Sequence, residues 1–189
     1  MSKKTRVLIM GCGGIGGVFA AHLADNPAID LLVVSRNPDI AHAVNSDGLQ
    51  LSGIDGERTV RVEVRTTVPE AQYDYILLAT QPPAVETAAK SVKDHLSEDG
   101  AVVVLQNGLC EERVAAIVGA DRVLGGIVTF GASSAGPGLV SRTSAGGVIL
   151  GSLREGADPR VQTLGALLNS MGPVSSTNNL LGARFSKLA

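Results

Sequence analysis

The sequence has no tryptophan and few other aromatic residues, which narrows the kinds of ligand that the chain could bind. Phenylalanine and tyrosine together make up 3% of its 189 residues. Proteins that bind single-stranded nucleic acid without sequence preference stack the bases on aromatic side chains. The formal net charge of -2 also argues against a surface for nucleic acid or an anionic membrane. We therefore expect neither nucleic acid nor a membrane among the partners.

Cysteine is scarce, and no apolar run approaches the length needed to span a bilayer. Cys12 and Cys110 are too few for a disulfide framework, and neither stands in a metal-ligand spacing. The polar residues 1–6 lead directly into the first apolar run, so we expect no signal peptide. Reduced cysteines, the absence of a metal site and a cytoplasmic location are the resulting expectations.

Glycine, in contrast, is abundant, and its most informative cluster follows the apolar run Val7–Met10. Gly11, Gly13 and Gly16 have the spacing of a dinucleotide-binding turn. In that turn the first glycine allows a sharp bend, the second leaves room for a pyrophosphate, and the third lets the helix pack closely on the sheet. We expect the whole loop to hold the cofactor, with the remaining contacts from Cys12, Gly14 and Ile15. The alternative is a tight strand–helix turn that binds no ligand.

Strand and helix patterns alternate over the first 130 residues, which predicts a Rossmann-like, doubly wound α/β fold with a mostly parallel sheet. The predicted strands are 6–10, 30–34, 75–79, 101–105 and 123–130. The predicted helices are 15–24, 38–46, 85–93 and 111–118. Residues 49–52 and 60–64 are expected to form a hairpin around Asp55-Gly56.

A different pattern begins after Phe130. The segment 131–138 is rich in glycine, alanine and serine, so we expect a loop. Residues 139–143 and 148–150 are expected to be strands that pair antiparallel at the far end of the sheet. A helix over 159–171, a strand over 174–177 and a second helix from Asn179 complete the prediction.

The residues after the second strand distinguish between the two nicotinamide dinucleotides. An NAD site usually has Asp or Glu about twenty residues beyond the glycines, where it accepts a hydrogen bond from the ribose 2′-OH. Ser35, Arg36 and Asn37 stand there instead. The planar cation of Arg36 is suited to a 2′-phosphate, which favours NADP(H) over NAD(H). A solvated surface arginine is the alternative.

Polar side chains follow three of the later strands, and ligands of open α/β sheets lie beyond such carboxyl ends. Thr80 and Gln81 follow one strand, Asn107 follows the next, and Ala132 comes just after the third. An amide such as that of Asn107 can donate to one ligand group and accept from another. The dipeptide Asn107-Gly108 is also an ordinary turn sequence, and this interpretation stays open.

The chain resembles the ketopantoate reductase (2-dehydropantoate 2-reductase) family, because short motifs match in order along most of its length. The matching segments are 11–16, Ser35-Arg36, 47–49, 74–79, 105–109, 122–126, 136–138, Leu150-Gly151 and 184–188.

The resemblance implies an NADPH-dependent reduction of ketopantoate to pantoate, a step of pantothenate biosynthesis on the route to coenzyme A. It implies that the glycine loop and Arg36 hold the cofactor and that the Ala132 backbone lies near it. Asn107 would lie beside the nicotinamide and the substrate, and Lys187 would match the catalytic lysine. Without the resemblance, Lys187 would be interpreted as an ordinary surface lysine. A homodimer of a longer protein also fits the family.

The resemblance further implies two domains: residues 1–178 as the NADP-binding Rossmann-like domain, and residues 179–189 as the start of a helical domain otherwise absent. One position departs from the family, because Gln81 stands in a segment where the family has a lysine. A reductase of another 2-oxo acid or an imine is therefore an alternative. A non-catalytic NADP(H)-binding module is another.

Overall fold

The structure is a computed structural model, and it describes residues 3–154 and 156–188, with side chains as far as residue 187. The outer limits of the two expected domains, residues 1 and 189, lie outside the described residues. The strands are β1 Thr5–Met10, β2 Ile29–Val34, β3 Leu49–Gly53, β4 Arg58–Val60, β5 Glu63–Arg65, β6 Tyr73–Leu78, β7 Leu96–Val104, β8 Val123–Val128, β9 Ala132–Gly136, β10 Leu139–Arg142, β11 Val148–Ser152 and β12 Val174–Thr177. The helices are α1 Gly14–Leu23, α2 Pro38–Asp47, α3 Val85–Val92, α4 Glu111–Val118, α5 Pro159–Leu167 and α6 Leu180–Leu188.

The main sheet has eight strands in the order β12-β11-β8-β7-β6-β1-β2-β5. The six strands from β8 to β5 run parallel, and β11 lies antiparallel to β8. The paired segments of β1, β6, β7 and β8 in the middle of the sheet are mostly apolar, as expected for strands covered by helices on both faces. The predicted α/β class, with a mostly parallel sheet and antiparallel pairing near the C-terminal end, is confirmed.

A separate sheet of four strands, in the order β4-β3-β10-β9, packs on α1. The helix approaches it closely at Gly17, where a β-carbon would lie 2.5 Å from Cγ1 of Val140. Glycine at this position therefore lets the second sheet lie directly on the helix that follows the glycine loop.

Three local predictions were wrong. Residues 139–142 and 148–152 are both strands, but they lie in different sheets and do not pair with each other. The segment 131–138 contains a strand, β9, which pairs antiparallel with β10. In the predicted hairpin, β3 pairs with residues 58–60 only, whereas residues 63–65 join the edge of the main sheet beside β2.

Two clusters of buried apolar side chains cover the faces of the main sheet. One lies under α1 and the four-stranded sheet, and the other lies under α3 and α4. No helix in the described part of the chain is both long and apolar enough to cross a bilayer. The carboxyl ends of the parallel strands are left open between these layers.

Candidate functional site

The strand order reverses between β1 and β6. The chain passes from β1 outward to β2 and β5 and then returns to β6 on the other side of β1. The two following loops diverge at such a point and leave a crevice beyond the strand ends, where open α/β sheets bind their ligands. Gly11 follows β1 and Ala79 follows β6, so both loops of this crevice contain residues singled out by the sequence.

The glycine loop is closely packed at three positions and open at one. Gly11 has φ +107°, and a β-carbon there would lie 2.9 Å from the Ala79 oxygen. A β-carbon on Gly16 would overlap the Gly11 oxygen, and one on Gly14 would lie 2.9 Å from the Ser133 nitrogen. At Gly13, in contrast, a β-carbon would meet no atom within 4 Å. The open side of the loop is therefore at Gly13.

The start of α1 lies at this open side. The first hydrogen bond of the helix runs from the Gly17 nitrogen to the Gly13 oxygen, over 2.7 Å. The backbone N–H groups of residues 14–16 therefore have no partner within the helix. Among the described residues, no side chain caps them. These free donors and the positive end of the helix dipole are suited to an anion.

The other two residues of the loop point away from the open side. Cys12 is buried in the apolar cluster under α1, and this burial raises the pKa of its thiol to about 11. Ile15 is half-buried and packs against the same cluster. Any ligand contact of these two residues would therefore use backbone atoms.

A cavity of about 180 Å³ lies between the ends of β1 and β2 and the start of α3. Arg36 forms part of its rim, is exposed, and has no carboxylate within 4.0 Å in the described part of the chain. Asn37 caps α2 instead, because its side-chain oxygen accepts from the Asp39 nitrogen over 2.9 Å. The lining residues are Met10, Gly11, Val34, Ser35, Arg36, Thr80, Ala84, Thr87, Ala88 and Ser91. Larger surface hollows, of about 430 and 510 Å³, lie beside the four-stranded sheet and beside His22, away from the strand ends.

Two separate side-chain hydrogen bonds lie at the ends of β6 and β7. The Gln106 amide donates to the Thr80 hydroxyl oxygen over 3.1 Å. The next residue, Asn107, accepts through Oδ1 from the Lys187 amine, with Nζ and Oδ1 2.6 Å apart. Partial desolvation of the amine and, second, the positive charge of Arg184 lower the pKa of Lys187. Lys187 lies 80 residues beyond Asn107 in the chain, and α6 brings it back to the end of β7.

The two remaining predicted residues, Ala132 and Gln81, differ in whether they contact the other residues of the candidate site. Ala132 lies against the loop, because a β-carbon on Gly14 would be 3.0 Å from its carbonyl carbon. Gln81 is exposed and precedes a single 3₁₀ turn over residues 82–84. In the described part of the chain its side chain forms no hydrogen bond that would draw it towards Thr80 or Asn107.

Two charged residues at this edge were not among those predicted from the sequence. Glu111 and Arg184 are both buried and form an ion pair directly behind the Lys187–Asn107 contact. Their positions in the sequence give no signal that would have identified them. Glu111 follows Asn107 by four residues across a non-helical loop, and Arg184 precedes Lys187 by three residues on α6.

The parallel sheet, the crossover at β1 and the glycine turn define a Rossmann-like protein. The family model described as ketopantoate reductase PanE/ApbA matches residues 7–155. A 2-dehydropantoate 2-reductase of Pyrococcus abyssi is 34% identical over 165 residues, which cover 87% of this chain and 53% of that protein. The chain belongs to the ketopantoate reductase family.

Solved structures agree with this assignment. The 2-dehydropantoate 2-reductase of Geobacter metallireducens superposes with a TM-score of 0.88 at 28% identity, over 97% of this chain and 61% of that one. A D-mandelate dehydrogenase in ternary complex with NADH and anilino(oxo)acetate shares the fold, with a TM-score of 0.87 at 22% identity, over 97% of this chain and 60% of that one. The chain spans about half the length of the curated relatives that it matches.

Proposed function

We propose that this chain is the nucleotide-binding part of an NADPH-dependent reductase that converts ketopantoate to pantoate. The observation that carries the proposal is the hydrogen bond between Lys187 Nζ and Asn107 Oδ1 at the open end of β7. This bond connects the Lys187 amine with the Asn107 amide, which lies at the edge where Rossmann-like sheets bind their ligands. The pKa of the amine is lowered there. Family membership supplies the substrate class.

The residues around the crevice fit a dinucleotide. The free N–H groups at the start of α1 and the space at Gly13 suit the pyrophosphate. The apolar cavity beside Gly11 has room for one ring system, and we assign the adenine to it. Arg36 on its rim would pair with the 2′-phosphate, with no acidic residue nearby to favour a free 2′-OH. Thr80, Gln81 and the Ala132 backbone would contact the remainder of the cofactor.

When bound, NADPH would supply the hydride for reduction of the 2-oxo acid at C2. As the carbonyl carbon takes the hydride, negative charge grows on its oxygen. The Lys187 ammonium would stabilise this charge and donate a proton to the oxygen, which leaves a hydroxyl group and a neutral amine. The amine then regains its proton from solvent. Because Oδ1 of Asn107 already accepts from Lys187, its NH₂ group stays available to orient the nicotinamide or the substrate.

We also propose that residues 1–178 form the nucleotide-binding domain and that residues 179–189 begin a helical second domain. Phe185 supports this division, because it is 57% exposed on the same helix that buries Arg184. An exposed aromatic residue beside Lys187 is suited to contact with a further layer of protein. Homodimerisation of the longer protein would use that layer.

The decisive experiment is a comparison of the native chain with Lys187→Ala. Both are assayed for NADPH binding and, fused at residue 189 to the remaining part of the Pyrococcus abyssi relative, for oxidation of NADPH with ketopantoate. We expect Lys187→Ala to lower kcat by about 10²-fold or more, as for loss of a general acid, and to leave the Kd for NADPH unchanged. Near-normal turnover would refute the role of Lys187. Tight NADPH binding by a folded fusion without any reduction would favour a non-catalytic module.

The exposed Gln81 favours a second candidate, a reductase of another 2-oxo acid. A glutamine cannot supply the charge of the lysine found there in the family, so the substrate carboxylate would be held less tightly. Steady-state rates of the fusion on a panel of 2-oxo acids would distinguish the two. Gln81→Lys should then improve kcat/KM for ketopantoate more than for smaller substrates.

A further inference from the structure

A buried ion pair lies directly behind the exposed contact between Lys187 and Asn107. We propose that Glu111 and Arg184 are positioning residues, which hold the Lys187 amine against Asn107 at the open edge of the sheet. The catalytic role of Lys187 rests on the proposed function. The claim that the ion pair holds Lys187 in place concerns only residues of this chain.

The pair fixes α6 to the end of β7. Arg184 Nε and Nη2 lie 2.7 and 2.6 Å from Oε1 of Glu111. Nη2 also donates to the backbone oxygen of Val104, the last residue of β7, over 2.8 Å. The side chains of Arg184 and Glu111 are 1% and 0% exposed. One guanidinium therefore joins the helix to both a strand end and the start of α4.

The same pair restrains both partners of the exposed contact. Glu111 begins α4 and lies four residues after Asn107, so it restrains the end of the loop that carries the amide. Arg184 lies three residues before Lys187 on α6, and residues three apart share one face of a helix. The buried and the exposed pair are therefore parallel connections between the same two segments.

Stability alone is a weak explanation for this pair. Buried ion pairs often contribute no more to stability than apolar residues of similar volume. Here the pairing is also incomplete, because Oε2 of Glu111 and Nη1 of Arg184 have no hydrogen-bond partner in the described part of the chain. The backbone keeps room for the carboxylate at Gly125, where a β-carbon would lie 2.8 Å from Oε1. A costly, incompletely satisfied pair is better explained by the fixed geometry that it imposes.

The experiment measures whether Asn107 and Lys187 still interact when the pair is removed. The sequence has five lysines, so isotopically labelled lysine gives a resolvable NMR titration, in which Lys187→Arg identifies the Lys187 signal. In the native chain, Asn107→Ala should lower the pKa of Lys187, because the amide oxygen stabilises the ammonium form. In the double variant Glu111→Leu/Arg184→Met, which leaves no unpaired charge, Asn107→Ala should have no effect.

If Asn107→Ala lowers the pKa of Lys187 equally in the native chain and in the double variant, the proposal is overturned, because Lys187 then reaches Asn107 without the ion pair. If the double variant does not fold, Arg184→Lys provides the test. It keeps the charge balance but removes the Nε bond to Glu111 and the fixed planar geometry of the guanidinium, so the effect of Asn107→Ala on the pKa of Lys187 should fall to less than half. An undiminished effect would also overturn the proposal.

Asp158→Asn is the matched control. Asp158 is a buried carboxylate whose Oδ2 lies 2.7 Å from Nη2 of Arg160. The pair is next to Gly100 and Asp121, towards the amino ends of β7 and β8. Loss of this ion pair should destabilise the chain and leave the effect of Asn107→Ala on the pKa of Lys187 unchanged. The titrations contain neither cofactor nor substrate, so their outcome is independent of whether the protein reduces ketopantoate.

Discussion

At the scale of single residues, neighbouring glycines of one loop are required for different reasons. Gly16 is needed by the fold, because a side chain there would overlap the Gly11 oxygen. Gly13 has no such requirement, since a β-carbon would point into open space and its φ of −85° is accessible to any residue. A glycine that the protein itself does not need marks the place where a ligand approaches the backbone.

Gly13→Ala should therefore separate binding from folding. We expect the free energy of unfolding to change by less than about 1 kcal/mol, because a poorer helix cap and a less flexible unfolded chain offset each other. The affinity for NADPH should fall by roughly tenfold or more, since the methyl group occupies the pyrophosphate's place. Chemical denaturation and fluorescence titration measure the two quantities. Gly16→Ala is the contrasting variant and should destabilise the fold by about 2 kcal/mol or more through overpacking.

Arg36→Asp should change which dinucleotide the chain prefers. Hydrogen bonds to charged groups contribute about 2 kcal/mol, so we expect about a 30-fold loss of NADPH affinity. NADH binding should be unchanged or improved, because the new carboxylate can accept from a free 2′-OH. Arg154→Asp makes the same charge change at an exposed site away from the crevice and should affect neither cofactor. Equal losses for NADPH and NADH would remove Arg36 from the 2′-phosphate role.

The lowered pKa of Lys187 predicts how turnover depends on pH. As a general acid, Lys187 must be protonated, so kcat should be constant at low pH and decline as pH rises through its pKa. Because partial desolvation of the amine and the charge of Arg184 lower that pKa, the decline should begin at a lower pH than an ordinary lysine would give. The pH profile of kcat in the fusion measures this. A profile that stays flat into the range of ordinary lysines would contradict the assignment.

At the scale of elements, sequence patterns predicted the strands and helices of the parallel sheet but not every pairing. The apolar runs of β1, β6 and β7 can be recognised in the sequence because both faces of these strands are buried. The strand β9 cannot be recognised in this way, because its residues Ala-Ser-Ser-Ala-Gly have low strand propensity. Its extended conformation is imposed by pairing with β10. The parallel pairing of β10 with β3, about 90 residues earlier, leaves no local signal at all.

The residues of the candidate site likewise include some that the sequence locates and some that it does not. The glycine loop, Thr80 and Asn107 could be located from the sequence, because they follow recognisable strands. Lys187 required the family resemblance, since a lysine near a helix end has no distinctive local pattern. Glu111 and Arg184 could not be found, because one charged residue among several on a short helix gives no sign that tertiary packing buries it.

At the scale of the whole molecule, the candidate site is assembled from segments that are distant in sequence. The crevice combines the loop after β1, Arg36 after β2, Thr80 after β6 and the Ala132 backbone. A ligand that contacts all of them connects parts of the chain that the unfolded state would separate. Cofactor binding should therefore be linked to global stability.

This linkage gives a prediction that needs no catalysis. At a free NADPH concentration 100 times its Kd, the folded state should gain about 2.7 kcal/mol. For a domain of this size, that gain corresponds to a rise of roughly 5–10 °C in Tm. The rise should be much smaller with NADH at the same concentration. In Gly13→Ala, whose own Tm stays close to that of the native chain, a tenfold loss of affinity should roughly halve it. Equal shifts with NADPH and NADH would show that the crevice binds a dinucleotide without recognising the 2′-phosphate, and an undiminished shift in Gly13→Ala would place the ligand elsewhere on the molecule.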